Sequence, residues 1–337
     1  MKNILTIIFF ILITFLFSCN SCNSNKKFKA PKADISDVKV ERVKICRYEE
    51  AIFKINPDNI FSEVKRMENK FPFFLKGGTK DSSNIFALRA YITDPNLIGL
   101  YKDCEKAYPD LKNIEEDLGK AFKYYKFYFP EKKIPVVYSY VSGIYFERPI
   151  IYEDSVIVIG LDMFLGAKYK YYKNNNIPLY MSKFFIKESI VPSTVYEMAL
   201  REIKFKESNV LLDQMLYVGK LLYFSDLLMP DTDDSLKIRY TQNQLNWCKK
   251  NEYNVWSFMI NQKALYSTDP GVNKKFMGDA PFTTYFSKQS PGRIASWIGW
   301  QIIRSYMMNN KNISIKELIN DNNSQKILSL SKYKPEK

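Results

Sequence analysis

Two stretches of this chain fix most of what it can fold into. NVLLDQMLYVGKLLYFSDLLMPD (209–231) places Leu211, Leu212, Met215, Leu216, Gly219, Leu222 and Tyr223 at helical spacing. SPGRIASWIGWQIIRSYM (290–307) reads as a second helix with a buried aromatic face. Ser290 stands at its expected N-cap and Pro291 at its first helical position, where a missing N–H costs nothing. Ala295 and Gly299 lie four apart, so a neighbouring helix can approach closely there. A chain with two such helices must bury them in a helical core.

The material for that core is ample. The chain has 337 residues, 46% hydrophobic, with 24 Tyr and 24 Phe. LKNIEEDLGKAFKYYKFYFP lines Leu111, Ile114, Leu118, Ala121, Phe122 and Tyr125 along one face before Pro130 stops it. Shorter helices are expected after Pro57 and Asp94-Pro95. The period then changes. IPVVYSYVSG and PIIYEDSVIVIGLDMFLG are β-branched and aromatic, and a turn at Glu153-Asp154 separates 150–152 from 156–159. A small antiparallel sheet with a hairpin is expected there. VKVERVKICRYE (38–49) also alternates like a strand. From about residue 185 the pattern is helical to the end. No repeat or linker interrupts residues 35–337, so the expected fold is one α+β domain, mostly α-helical, with a small antiparallel sheet.

The start of the chain sets its compartment. Lys2 precedes a 14-residue apolar run, Ile4 to Phe17, shorter than the roughly 20 residues of a membrane-spanning helix. The run ends in LFSC. Residues 1–18 therefore read as a lipoprotein signal peptide, with cleavage before Cys19 and a lipid on that cysteine. Residues 19–34 are polar and lysine-rich, a flexible tether reaching about 50 Å when extended. The expected address is the cell envelope, and no acidic cluster follows Cys19. Pairing among Cys22, Cys46, Cys104 and Cys248 stays open, with buried free thiols as the alternative to one disulfide.

Composition removes many chemistries. Histidine is absent from the whole chain. That excludes His bases, Ser-His and Cys-His nucleophile pairs and His metal ligands. The net charge of +14 invites an anionic partner, but no dense basic block is interleaved with aromatics, and an exported lipoprotein does not meet nucleic acid routinely. No cofactor is implied.

Several long stretches resemble a known family. They are YKDCEKAYPDLKNIEEDLGKAFKYYKFYFPEKKIP, IGLDMFLG, LLDQMLYVGKLLYFSDLLMPDT, WCKKNEYNVWSFMINQKALYSTD, APFT, SPGRIASWIGWQIIRSYM and QKILSLSKYKP. They are similar to the gliding-motility lipoprotein GldB family of Bacteroidota, over nearly the whole chain after the signal peptide. The resemblance implies an envelope lipoprotein required for gliding, with no established enzymatic activity. For a lipoprotein resembling those of Bacteroidota, the lack of an acidic cluster after Cys19 implies the periplasmic side of the outer membrane. Its setting would be the assembly or stability of the gliding and type IX secretion apparatus, with protein partners there. The family also looks distantly related to HExxH zinc peptidases, which implies a degenerate zincin-like fold. In that alignment YEMAL takes the place of HExxH. Tyr196 and Leu200 replace the two histidines, Glu197 remains, and Val218 beside Gly219 replaces the third ligand. Tyr, Leu and Val cannot hold zinc in the usual way.

Other residues weigh less. Glu197 with Arg201 at i+4 reads first as an ion pair worth a few tenths of a kcal/mol, roughly. Asp213 reads as a polar helix face. PDTDDS (230–235) lacks the spacing, glycine and closing glutamate of a calcium loop, so capping is the better account. Trp297 and Trp300 read as core. KYKYYKNNN (168–176) reads as an exposed aromatic surface and the best partner candidate. Two alternatives to a non-catalytic role remain: a remnant cleft that binds a peptide or glycan, and a peptidase with an unusual metal site.

Overall fold

The computed structural model describes residues 31–337 apart from Asp154; Cys19, Cys22 and the signal peptide lie outside the described residues. Four strands form one sheet: β1 (Ile45–Arg47), β2 (Val136–Tyr140), β3 (Ile150–Glu153) and β4 (Val156–Gly160), in the order β1-β2-β4-β3. The hairpin was expected and is present, with Ile151 opposite Val158 and Tyr152 opposite Ile157. The sheet as a whole corrects the antiparallel expectation. β1 pairs with β2 in parallel, and β2 pairs with β4 in parallel. Parallel neighbours need a crossover, and residues 48–128, largely helical, supply one between β1 and β2. The expected 38–49 strand shrinks to three residues, because Tyr48–Ile52 turns into a helix.

Both faces of the sheet are covered. Alternate residues of a strand point to opposite sides. Val137, Ile157 and Ile159 enter the main core, whereas Tyr138 joins Tyr48, Ile52, Val64, Phe71 and Leu75 in a smaller cluster on the other face. The helices of residues 60–93 cover that second face. The main core lies between the sheet and the helices of the second half.

Six helices matter for the site: α1 (Lys112–Tyr128), α2 (Ile190–Glu202), α3 (Leu211–Leu228), α4 (Asp234–Ile238), α5 (Gln242–Asn261) and α6 (Ile294–Asn309). α3 and α6 are the two helices that the sequence marked as buried. They pack against each other with their backbones nearly touching. A methyl group on Gly299 would overlap the Met215 carbonyl, and one on Gly219 would overlap the Gly299 carbonyl. Only glycine fits on both sides of this crossing. Trp297 and Trp300 are buried, as expected of core residues.

The start of α6 differs from expectation. Ser290 does not cap it; the helix begins at Ile294, after Arg293 in a left-handed conformation (φ 53°). Ser290 instead closes a turn: its Oγ accepts from Thr283 N–H at 3.2 Å, and the Thr283 hydroxyl donates to the Pro291 carbonyl at 2.8 Å. Tertiary hydrogen bonds to the APFT segment have overridden the local capping signal.

An ion network locks α3, α4 and α6 together. Asp226 on α3 receives Arg304 of α6 through two bonds of 2.7 Å, the Trp300 indole at 2.8 Å and Lys237 of α4 at 2.9 Å. Arg304 also holds Asp234, at 2.9 Å from two nitrogens. The aspartates of 230–235 are thereby spent on structure. Asp233 caps α4 and Asp231 pairs with Lys32 at 2.7 Å.

Two further expectations are settled here. Cys46, Cys104 and Cys248 are free thiols, and the last two are fully buried. The 168–176 segment is not an exposed aromatic face. Tyr172 is buried, with its hydroxyl on the Asp162 carbonyl at 2.7 Å, and Tyr169 donates to Asp103 at 2.6 Å. The lysines face outward and the tyrosines turn in.

Gly299→Ala is expected to destabilise the protein by about 1–3 kcal/mol, because the helices must separate to admit one methyl. Urea unfolding followed by circular dichroism measures it. A neutral result would mean that the crossing relaxes freely.

Candidate functional site

The aligned positions fall on two packed helices. Tyr196, Glu197 and Leu200 lie on α2, and Val218 lies on α3. Helical spacing puts Tyr196 and Leu200 on one side of α2. They differ in surroundings, however. Leu200 is 37% exposed, whereas Tyr196 and Glu197 are half-buried. Val218 is partly buried against the main core. Among the described residues, no group of three or more His, Cys, Asp or Glu side chains is assembled that could hold a metal.

Tyr196 and Glu197 instead border a cationic region. Burial pushes the Tyr196 phenol up to about 12, against the fields of Arg293 and Arg239. Burial also raises Glu197, opposed by Arg148 and Arg239. A phenol held that high stays protonated at neutral pH, and a carboxyl shifted upward is a weaker acid than usual. Arg148 and Arg239 reach Glu197 from outside its own helix.

Beside these residues opens a small cleft, about 50 Å³ in its enclosed part. Its walls come from three places. The helix Leu179–Ser182 and the residues after it give Tyr180, Met181, Lys183 and Phe184. The junction of α4 and α5 gives Arg239, Tyr240 and Gln244. The two ends of the loop before α6 give Asp279, Ala280, Gly292 and Arg293.

Local backbone features build this cleft. Arg239 ends α4 with φ 58°, and Arg293 precedes α6 with φ 53°. Left-handed backbone is uncommon for a residue with a side chain, and glycine is the usual choice at a helix C-terminus. Arginine stands in both places here. Gly292 lets the loop close, since a methyl group there would overlap the Ala280 carbonyl. The Tyr240 hydroxyl, 2.9 Å from the Gly292 and Arg293 carbonyls, pins that closure to the start of α5.

The charges in the cleft are unevenly satisfied. Arg293 pairs with Asp279 at 2.9 Å and donates to the Ile238 carbonyl at 3.2 Å. Lys183 donates to the Gln244 side-chain oxygen at 3.2 Å, a neutral partner. Among the described residues, the Arg239 guanidinium has no hydrogen bond or ion pair; it lies 6.0 Å from the centre of the Phe184 ring. Burial, and then Arg293, lower the pKa of both Lys183 and Arg239. Lowered values mean that the folded protein bears a cost for holding these charges together.

Sequence reasoning found Tyr196 and Glu197 but missed Lys183, Arg239 and Arg293. Asp213, read from the sequence as a polar helix face, lies outside the cleft lining. It sits in the first turn of α3 and accepts the Ser208 hydroxyl at 2.5 Å.

The raised Glu197 pKa fixes a sign. Its folded value lies above the unfolded one, near about 4.3. Its contribution is therefore fully present below the unfolded value and is lost as pH rises through the folded one. Glu197→Gln and the parent chain should unfold at similar urea concentrations near about pH 4, with the variant ahead at neutral pH. A parent chain that gains on the variant as pH rises would show that the arginines outweigh burial.

A family model described as gliding motility protein GldB matches residues 29–335. No curated protein and no solved structure matches the chain.

Proposed function

The chain belongs to the gliding motility protein GldB family, a family of lipoproteins, and on that premise we propose that it serves gliding as a non-catalytic envelope component. Family membership across residues 29–335 carries the gliding assignment. The non-catalytic part is supported by the residues at the aligned ligand positions. Tyr196, Leu200 and Val218 offer no ordinary zinc donor set, and histidine is absent from the sequence. A degenerate relation to HExxH peptidases fits these positions.

The role is to assemble or stabilise the gliding and type IX secretion apparatus through protein partners. The anchor is a lipid on Cys19, which holds the domain at the envelope, on the periplasmic side of the outer membrane. Among the described residues no helix is long and apolar enough to cross a membrane. Nucleic acid has no place in this reading.

Anchoring and role are tested separately. Cys19→Ala should abolish incorporation of radiolabelled fatty acid, and persistent labelling of that variant would remove the anchor assignment. For the role, variants are expressed in a strain lacking the gene, protein levels are matched, and colony spreading is measured. Glu197→Gln keeps the shape and should leave spreading intact. Gly299→Leu drives a large side chain into the α3–α6 crossing and should abolish spreading. Loss of spreading by Glu197→Gln at a normal protein level would assign chemistry to that carboxyl and overturn the non-catalytic reading.

A further inference from the structure

We infer that the cleft between Phe184, Arg239 and Arg293 is a binding site for an oxyanion, a carboxylate or phosphate, carried on an apolar group. Three observations converge. The first is the unpartnered guanidinium. A half-buried arginine without an ion pair is costly to keep, because desolvation of its charge is not offset. The Arg239 guanidinium has that character in this structure.

The second is the backbone that presents it. Both cleft arginines stand in left-handed conformations. Single residues in sparsely populated regions are strained and persist where the surroundings enforce them. Here the enforcement is visible. The buried Asp226–Arg304–Asp234 network fixes α4, and the Gly292 crossing with Tyr240 fixes the loop. Two basic side chains are thus aimed by rigid elements at one place.

The third is the chemistry of the walls. Lys183 and Arg239 lack ion-pair partners among the described residues, while Asp279 is spent on Arg293. The cleft therefore has positive charge left over for an incoming anion. A guanidinium is a planar fork that matches the two oxygens of a carboxylate or phosphate. Tyr180, Met181 and Phe184 line the same cleft and suit an apolar carrier. The enclosed part of the cleft is small, about 50 Å³, room for an anionic head group rather than a whole ligand. The anion would enter the cleft, and its apolar carrier would lie at the mouth against Tyr180, Met181 and Phe184.

Oxyanion binding stands apart from the motility role. A failure here leaves the colony-spreading test undisturbed, and the reverse also holds.

The test is isothermal titration calorimetry on the purified full chain in detergent, with inorganic phosphate, benzoate and phenyl phosphate as probes. Phenyl phosphate or benzoate should bind with one site per chain, and inorganic phosphate should bind at least several-fold more weakly. The better of the two aromatic probes identifies the anion as phosphate or carboxylate. Arg239→Gln should weaken the better probe about tenfold or more, with Arg239→Lys in between. Lys183→Gln should weaken it by a smaller factor, and it alone decides the matter if Arg239→Gln does not fold, as judged by circular dichroism. No heat from any probe up to about 10 mM, a range that reaches weak millimolar binding, overturns the assignment. So does unchanged affinity in a folded Arg239→Gln chain. Equal binding of inorganic phosphate and phenyl phosphate overturns the apolar carrier.

Discussion

Where α3 crosses α6, Gly219 and Gly299 let two main chains meet, and no side chain can intervene. This contact sets the separation of the two most buried helices. At that separation Asp226 of α3 comes within reach of Arg304 and Trp300 of α6. Four donors converge on one buried carboxylate, which would otherwise be costly to desolvate. Arg304 extends the network to Asp234, and Lys237 ties Asp226 to the same short helix. α4 is thereby fixed at both ends of one turn. Its next residue is Arg239. The position of that guanidinium follows, link by link, from two hydrogen atoms where other residues carry a Cβ.

The sequence carried these links unevenly. Gly299 and the tryptophans were legible, because close approach and helical spacing are local signals. The β3–β4 hairpin was legible for the same reason. β1 was legible only in part: the alternation over 38–49 marked a strand, but neither its short extent, Ile45–Arg47, nor its parallel pairing with a strand some ninety positions away has a local signal. Ser290 gave a clear capping signal that tertiary bonds to Thr283 displaced. The 168–176 segment was misread because it is rich in lysine. Its tyrosine hydroxyls find buried partners at Asp162 and Asp103, so their rings can enter the core while the ammonium groups stay in water.

At the cleft the division is sharper. Tyr196 and Glu197 drew attention through a motif layout. The cations did not, because 50 Lys and Arg residues bury any three of them in the background. A faint signal did exist. KIRYTQNQ places an arginine where a short helix should end on glycine, directly before a Thr-x-x-Gln capping box that the structure forms. SPGRIAS sets another arginine after a glycine at a helix start. The signal is faint because Lys263 and Lys332 take the same left-handed backbone at other helix ends; what sets Arg239 apart is its guanidinium, half-buried without an ion pair among the described residues.

The charges around this cleft also respond to pH in a restricted way. Guanidinium groups stay charged throughout the physiological range even when burial lowers their pKa, since they start above about 12. Tyr196, held near 12, stays neutral. With no histidine in the chain, the side chain type that ordinarily changes charge between about pH 5 and 8 is missing. The carboxyls here are Asp279, in the cleft wall and paired with Arg293, and Glu197 beside the cleft, whose titration burial shifts upward. When Glu197 is protonated, Arg239 loses a compensating field and the cleft becomes more positive. When it ionises, the same arginine is partly neutralised from within. An anion drawn to Arg239 thus competes with a carboxylate that the fold itself supplies, and the competition favours the anion as pH falls, so long as the anion keeps its own charge.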